Sequence, residues 1–180
     1  MVGSVQLVSC RNYKQFEWEM DSASLAARAS LHPQQNLHSV FVYGSLMADE
    51  VLRILLKRTP QSSDAVLNGY QRLSVKGRLY PAIIPVTSKK VSGKIISGIK
   101  DSEMHLLDAY EDFEYKRITV EVSLMDSLEK LLVYAYVWGN EKDPNLYGDW
   151  DFEEWRRDHL EAYIEMVEEF MEEYEQHPGP

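Results

Sequence analysis

Between Ser39 and Trp138 the chain returns again and again to short β-branched and aromatic runs, and glycine or proline cuts almost every one. Ser39-Val40-Phe41-Val42-Tyr43 reads as a buried strand that stops at Gly44-Ser45. Residues 65–70, 71–79 and 91–99 are strand-like, punctuated by Gly69, Gly77, Pro81, Pro85, Gly93 and Gly98, with Pro85 marking an edge or a loop. Residues 117–124 alternate partly, 131–138 are more continuously apolar, and Asp126-Ser127-Leu128-Glu129 joins the two as a hairpin. Only two helices interrupt this pattern. Residues 49–57 open with acids, close with bases and stop at Thr59-Pro60; a second helix begins near Asp101-Ser102 with Met104, Leu107 and Tyr110 on one face. Strands outnumber helices and neighbours are mostly hairpin-linked. The expected fold is therefore α+β, a small mixed sheet curling into a barrel flanked by helices.

The C-terminal part has a different texture. Residues 140–147 form a polar linker containing Pro144. Asp151 is then placed to cap a long helix, with Glu154 at capping-box spacing. Phe152, Trp155, His159, Tyr163, Val167, Phe170 and Tyr174 follow at spacings of three and four, a stripe that must pack on the domain or on a second subunit. Residues 149–177 hold twelve acids against Arg156 and Arg157, which leaves seventeen acids and seventeen bases elsewhere. The net charge of −10 thus belongs to this segment, whose acids read as a solvated face. A negative tail on a neutral body disfavours nucleic acid as a partner. Residues 1–36 read as a weakly ordered N-terminal extension, and Glu17, Glu19 and Asp21 carry the wrong charge for a transit peptide. The expected organisation is an extension over 1–36, a folded domain over 37–139, and a linker with an acidic amphipathic helix over 140–180.

Several chemistries find no support. A lone Cys10 gives neither an intramolecular disulfide nor a cysteine-rich zinc site, and the five histidines show no H-x-x-x-H pair, so no metal is expected. Neither G-x-G-x-x-G nor G-x-x-x-x-G-K-[ST] occurs. Ser45 lacks the flanking glycines of a nucleophile elbow, since Tyr43 and Met47 stand in those positions. The longest apolar run, 131–138, is far short of a bilayer span, and no Asn-x-Ser/Thr acceptor is present. A cytoplasmic protein with no membrane partner is expected.

Two local features could carry chemistry. In Tyr43-Gly44-Ser45-Leu46-Met47-Ala48 a strand turns into a helix, and the amides opening that helix could hold an anion or an oxyanion; the alternative is a plain turn that binds nothing. Glu111 ends the second helix beside Tyr110, Phe113 and Tyr115. The negative end of the helix dipole and aromatic neighbours would raise its pKa toward that of a general base, whereas the bland reading is an exposed helix-end glutamate.

Taken together, V-Y-G-S-L after the first strand, Y-P-A at Tyr80-Pro81-Ala82 and L-D-x-Y-E-x-x-x-Y ending at Tyr115 resemble the γ-glutamylcyclotransferase-like superfamily. D-P-N-L-Y-G-D-W-D-F-E-E-W, within residues 140–155, resembles its plant avirulence-induced branch. The resemblance covers residues 39–155, with the motifs in the family's order. It implies a small mixed β-barrel, Tyr43, Gly44, Ser45, Leu46, Met47 and Ala48 as the loop that holds a substrate's glutamyl end, and Glu111 as the proton acceptor. It places Tyr80, Pro81 and Tyr115 beside the pocket. One departure is visible: Asp112-Phe113 follows Glu111 where the family pattern leads one to expect glycine, so the loop there should bend differently.

The implied activity is release of 5-oxoproline from a small γ-glutamyl amine or peptide by a monomer or homodimer, and the chemistry requires neither metal nor organic cofactor. The substrate's own α-amine attacks its γ-carbonyl, and well-oriented intramolecular attack can reach effective molarities of about 10⁵–10⁸ M. The rival expectation is a non-catalytic binding or defence-signalling protein that keeps the fold and engages a partner through its acidic helix.

Overall fold

The computed structural model describes residues 36–177. All but the last residue of the extension assigned to 1–36 lies outside the described residues. Six strands and three helices follow in the order β1 (Leu37–Val42), α1 (Asp49–Leu56), β2 (Gln61–Val75), β3 (Pro81–Lys100), α2 (Asp101–Glu111), β4 (Tyr115–Leu124), β5 (Lys130–Trp138), β6 (Leu146–Tyr147) and α3 (Phe152–Gln176), with one 3₁₀ turn at Ser45–Met47 before α1. The strands run β3-β1-β5-β4-β2, and pairing of β2 with β3 closes them into a five-stranded barrel; β6 only extends the β2 edge. All pairs are antiparallel except β1 with β5, where Val40 faces Tyr134.

Two strand runs merge in the structure. Residues 65–70 and 71–75 lie in one strand, β2, and residues 76–79 fall in the turn that follows it. Gly69 takes φ +80° and makes a bulge rather than a turn, so the strand bends into the barrel instead of ending. Pro85 stands opposite Tyr70 at this irregularity, inside β3, at a point where the ladder is already broken.

Period-two alternation splits the core into two layers. On β1, Phe41 points into the barrel with Leu67, Ile83, Ile95, Val122 and Ala135. Val40 and Val42 point outward, under a helical layer that includes Leu52, Leu55, Met104, Leu107, Tyr163 and Val167. The Asp151 carboxylate accepts the Glu154 N–H at 2.8 Å and starts α3 as expected. Trp155, Tyr163, Val167 and Met171 form its buried face, whereas His159 is exposed. The stripe therefore packs on the chain's own barrel layer, and 140–177 join 37–139 in one compact unit beginning at Asn36. Among the described residues no helix is long and apolar enough to cross a membrane.

Candidate active site

β1 delivers the first wall. Tyr43 continues its alternation, is buried, and donates its hydroxyl to the Tyr136 carbonyl at 2.6 Å. At Gly44 a Cβ would stand 2.8 Å from Cγ of Pro81, so the close approach of the Pro81 ring to this backbone requires glycine. The 3₁₀ turn that follows is tied by Met47 N–H to the Gly44 carbonyl and Ala48 N–H to the Ser45 carbonyl. The N–H groups of Gly44, Ser45 and Leu46 find no acceptor among the described residues, although Ser45 and Leu46 are buried. Buried amides without partners are rare, and donors left over in a pocket wall are what an oxyanion or carboxylate needs.

α2 delivers the second wall, with Glu111 as its last residue. The residue is half-buried and its carboxyl has no hydrogen-bond partner among the described residues, while burial raises its pKa from 4.5 to about 8. Desolvation is the cause of this rise. The surroundings explain it: Tyr43, Tyr110, Tyr115, Tyr136 and Tyr163 all feel the charge of Glu111, and burial pushes every one of their phenols up. Each of these hydroxyls is bonded elsewhere. Tyr115 donates to the Pro81 carbonyl and Tyr136 to Asp108, while Tyr163 bonds both Ser45 Oγ (2.9 Å) and the Tyr110 hydroxyl (2.7 Å). Five neutral phenols thus enclose a carboxyl that none of them satisfies.

Both walls line one pocket of about 250 Å³. Tyr43, Gly44, Ser45, Leu46 and Glu111 lie together in its lining, with Tyr80, Pro81 and Tyr115 beside them. Met47 and Ala48 are not in the lining; both are buried in the helical layer, where the Ala48 carbonyl accepts the Leu52 N–H at the head of α1. Sequence reasoning missed Tyr110 as a hydroxyl partner and the whole contribution of α3, which supplies Tyr163, Met166 and Phe170. The only signal for Tyr163 and Phe170 was the stripe, which specifies a buried face without saying what it covers, and Met166 lay outside it. Among the described residues no group of three or more His, Cys, Asp and Glu could hold a metal ion.

The turn after Glu111 shows what the missing glycine does. Asp112 adopts φ 57° and ψ −171°, a region in which glycine alone is comfortable. Its carboxylate accepts the Phe113 N–H at 2.7 Å, and Phe113 is left 85% exposed at the rim of the pocket.

The chain is similar to known proteins across this same region. The family model for γ-glutamyl cyclotransferase, AIG2-like, matches residues 40–156. AIG2-like protein D of Arabidopsis thaliana is 56% identical over 138 residues, covering 76% of this chain and 91% of that one. AIG2-like protein C of the same plant is 50% identical over 135 residues, covering 75% and 78%. A solution structure from Arabidopsis thaliana superposes with a TM-score of 0.61 at 42% identity, covering 82% of this chain and 97% of that one. With a five-stranded mixed barrel, the Y-G-S-L turn and Glu111 on one pocket, the chain belongs to the AIG2-like γ-glutamyl cyclotransferase family.

Proposed function

We propose that the protein is a γ-glutamylcyclotransferase that converts a γ-glutamyl amine or peptide into 5-oxoproline and the free amine. The observation that carries this reading is the pairing, on one pocket, of unpartnered amides at Gly44–Leu46 with an unpartnered carboxyl at Glu111. Glu111, ionised, takes a proton from the substrate's α-ammonium. The neutral nitrogen attacks the γ-carbon and closes the lactam, while the three amides hold the developing oxyanion. As the C–N bond to the leaving amine breaks, Glu111 returns that proton to the leaving nitrogen, and the second proton of the cyclised nitrogen passes by the same carboxylate to the departing amine, which leaves as an ammonium. A proton acceptor with pKa about 8 is matched to an ammonium near neutral pH. The non-catalytic alternative, in which the acidic helix recruits a partner, draws less support, because the pocket is not filled by the chain's own side chains.

The test is incubation of the purified chain with a panel of γ-glutamyl dipeptides, γ-glutamyl-ε-lysine and glutathione, with 5-oxoproline detected by mass spectrometry and Glu111→Gln alongside. Release by the wild type and not by the variant is the expected result. Equal release by both would remove Glu111 from the mechanism, and silence across the panel would favour partner binding.

A further inference from the structure

The pocket lining combines the Gly44–Leu46 turn and Glu111 with the apolar side chains of Phe113, Met166 and Phe170 and with the charged residues Arg78, Asp112 and Glu114. Arg78 is the one cationic residue in the lining among the described residues. Phe113 is 85% exposed and Met166 40%, so both offer apolar surface that the chain itself leaves uncovered. An isolated exposed apolar residue needs no explanation, but two in the lining of one pocket mark a place for apolar ligand surface.

Arg78 is held and yet not used up. Its side chain is 49% exposed, its Nη2 meets Glu114 Oε1 at 3.3 Å, and its guanidinium lies 5.7 Å from the centre of the Tyr80 ring. The guanidinium has five N–H donors, so one long contact leaves a fork free for a carboxylate. Of the neighbouring acids, Glu114 accepts from Arg78 on one oxygen and from the Tyr80 hydroxyl on the other, and Asp112 accepts the Phe113 N–H on one oxygen.

Resting on the cyclotransferase reading, we propose that Arg78 and the apolar rim select the leaving group: an α-amino acid with a large aromatic or aliphatic side chain, its carboxylate on Arg78 and its side chain against Phe113, Met166 and Phe170. The glutamyl end then reaches inward to the amides and Glu111. The preferred substrates are γ-glutamyl dipeptides of the γ-Glu-Phe and γ-Glu-Leu kind, ahead of γ-Glu-Gly, of γ-glutamyl-ε-lysine and of amides whose leaving amine has no carboxylate.

The decisive pair is γ-Glu-Phe and γ-glutamyl-phenethylamide, which differ only in the carboxylate. Turnover is measured with the wild-type full chain, and binding by calorimetry with Glu111→Gln, so that affinity is read without chemistry. The expected result is a tenfold or greater preference for γ-Glu-Phe over the phenethylamide in both assays. Arg78→Gln should bring γ-Glu-Phe down to the level of the phenethylamide, and Phe113→Ser should weaken γ-Glu-Phe several-fold more than γ-Glu-Gly. Equal handling of the pair, or preference for γ-Glu-Gly or the ε-lysine compound, overturns the proposal, as does no binding of any compound by a chain shown folded by circular dichroism. Binding preference retained without any turnover would sink the cyclotransferase reading and leave the recognition site standing.

Discussion

The guanidinium of Arg72 donates to the Tyr43 carbonyl at 2.7 Å, and the peptide from Tyr43 to Gly44 is trans. In a trans peptide C=O and N–H point in opposite directions, so this bond turns the Gly44 N–H away from Arg72. Arg72 does not line the pocket; it is seated over the Trp150 ring at 5.2 Å, with the charges of Asp151 and Asp149 near it. It is a positioning residue for the loop.

Replacing it with methionine removes the pin and leaves the Tyr43 carbonyl without that donor. Loss of one oxyanion donor costs about 10²–10³ in kcat, and a misaimed donor should cost less, so Arg72→Met is expected to lower kcat roughly tenfold or more. Because Glu111 is untouched, the midpoint of the pH–rate profile should stay in place. Steady-state kinetics on γ-Glu-Phe across pH would check both. A displaced midpoint would instead tie Arg72 to the electrostatics of Glu111.

Glu111 itself predicts opposite trends for rate and stability. Its raised pKa means that kcat/KM should climb with pH and level off above about 8, as the carboxylate forms. Folding runs the other way. Between 4.5 and about 8 the native carboxyl holds a proton that the unfolded one has lost, so its stabilising contribution is full below 4.5 and disappears as pH passes 8. At about 1.4 kcal/mol per pKa unit, less what partial exposure screens, the loss is on the order of 2–4 kcal/mol. Glu111→Gln should therefore gain stability relative to the wild type across this window, measured as the difference between urea midpoints at pH 5 and pH 9, while losing about 10²–10⁴ in kcat. A pH-independent difference would mean that the carboxyl is solvated.

Much of this was legible in the chain, for reasons that can be located. Val40 to Tyr43 alternate so clearly, and Gly44 stops them so sharply, that the first strand and its turn follow from local rules. Glu111 was found because a helix end and its aromatic neighbours are adjacent in sequence. Gly69 was ambiguous, because a glycine in a strand signals a turn and a bulge alike, and only the β3 partner decides between them. Arg72, Arg78 and Tyr163 were invisible for a different reason: each acts on a partner at least 29 residues away. Periodicity places Tyr163 on a buried face but cannot say that Ser45 lies opposite.

Asp112 offers a stability gain at the edge of the site. A non-glycine residue at φ 57° and ψ −171° carries strain of about 1–3 kcal/mol, partly offset by the bond from Phe113 N–H to its own carboxylate. Glycine relieves the strain at an entropic cost of about 0.5–1 kcal/mol. Asp112→Gly is thus expected to be neutral to stabilising by about 1 kcal/mol, and Asp112→Ala destabilising, since alanine keeps the strain and loses the bond. Thermal melts of the three proteins would rank them. A stable Asp112→Ala would show that the turn relaxes easily.

Two glycines should fail in different ways. A Cβ at Gly93 would run into the Val42 carbonyl oxygen and lie 2.8 Å from Cζ of Phe41, inside the β1–β3 pairing. A strand carbonyl on one side and a buried core ring on the other leave no room to yield, and Gly93→Ala should cost about 3 kcal/mol or more. At Gly44 the clash is with the Pro81 ring on the pocket wall, so Gly44→Ala should melt within a few degrees of the wild type yet lose most activity. Denaturation and turnover measured side by side would separate the two. Equal destabilisation would mean that the Gly44 turn is as rigid as the sheet.

Tyr163 is the middle of a chain of three hydroxyls, bonded to Ser45 Oγ on one side and to Tyr110 on the other. Tyr163→Phe keeps the ring that packs edge-on against Trp155 but deprives two pocket hydroxyls of their partner. An unsatisfied buried hydroxyl costs about 1–3 kcal/mol, so the variant should lose at least about 1 kcal/mol. Tyr110→Phe removes an end of the chain and leaves the Ser45–Tyr163 bond intact, so it should cost less. The Ser45 hydroxyl freed in Tyr163→Phe lines the pocket, and its rotation should raise KM more than it lowers kcat. Guanidinium melts and Michaelis–Menten curves for both variants would check the ordering. A larger loss in Tyr110→Phe than in Tyr163→Phe would mean that α3 is held by ring packing alone and that the Ser45 bond contributes nothing to the site.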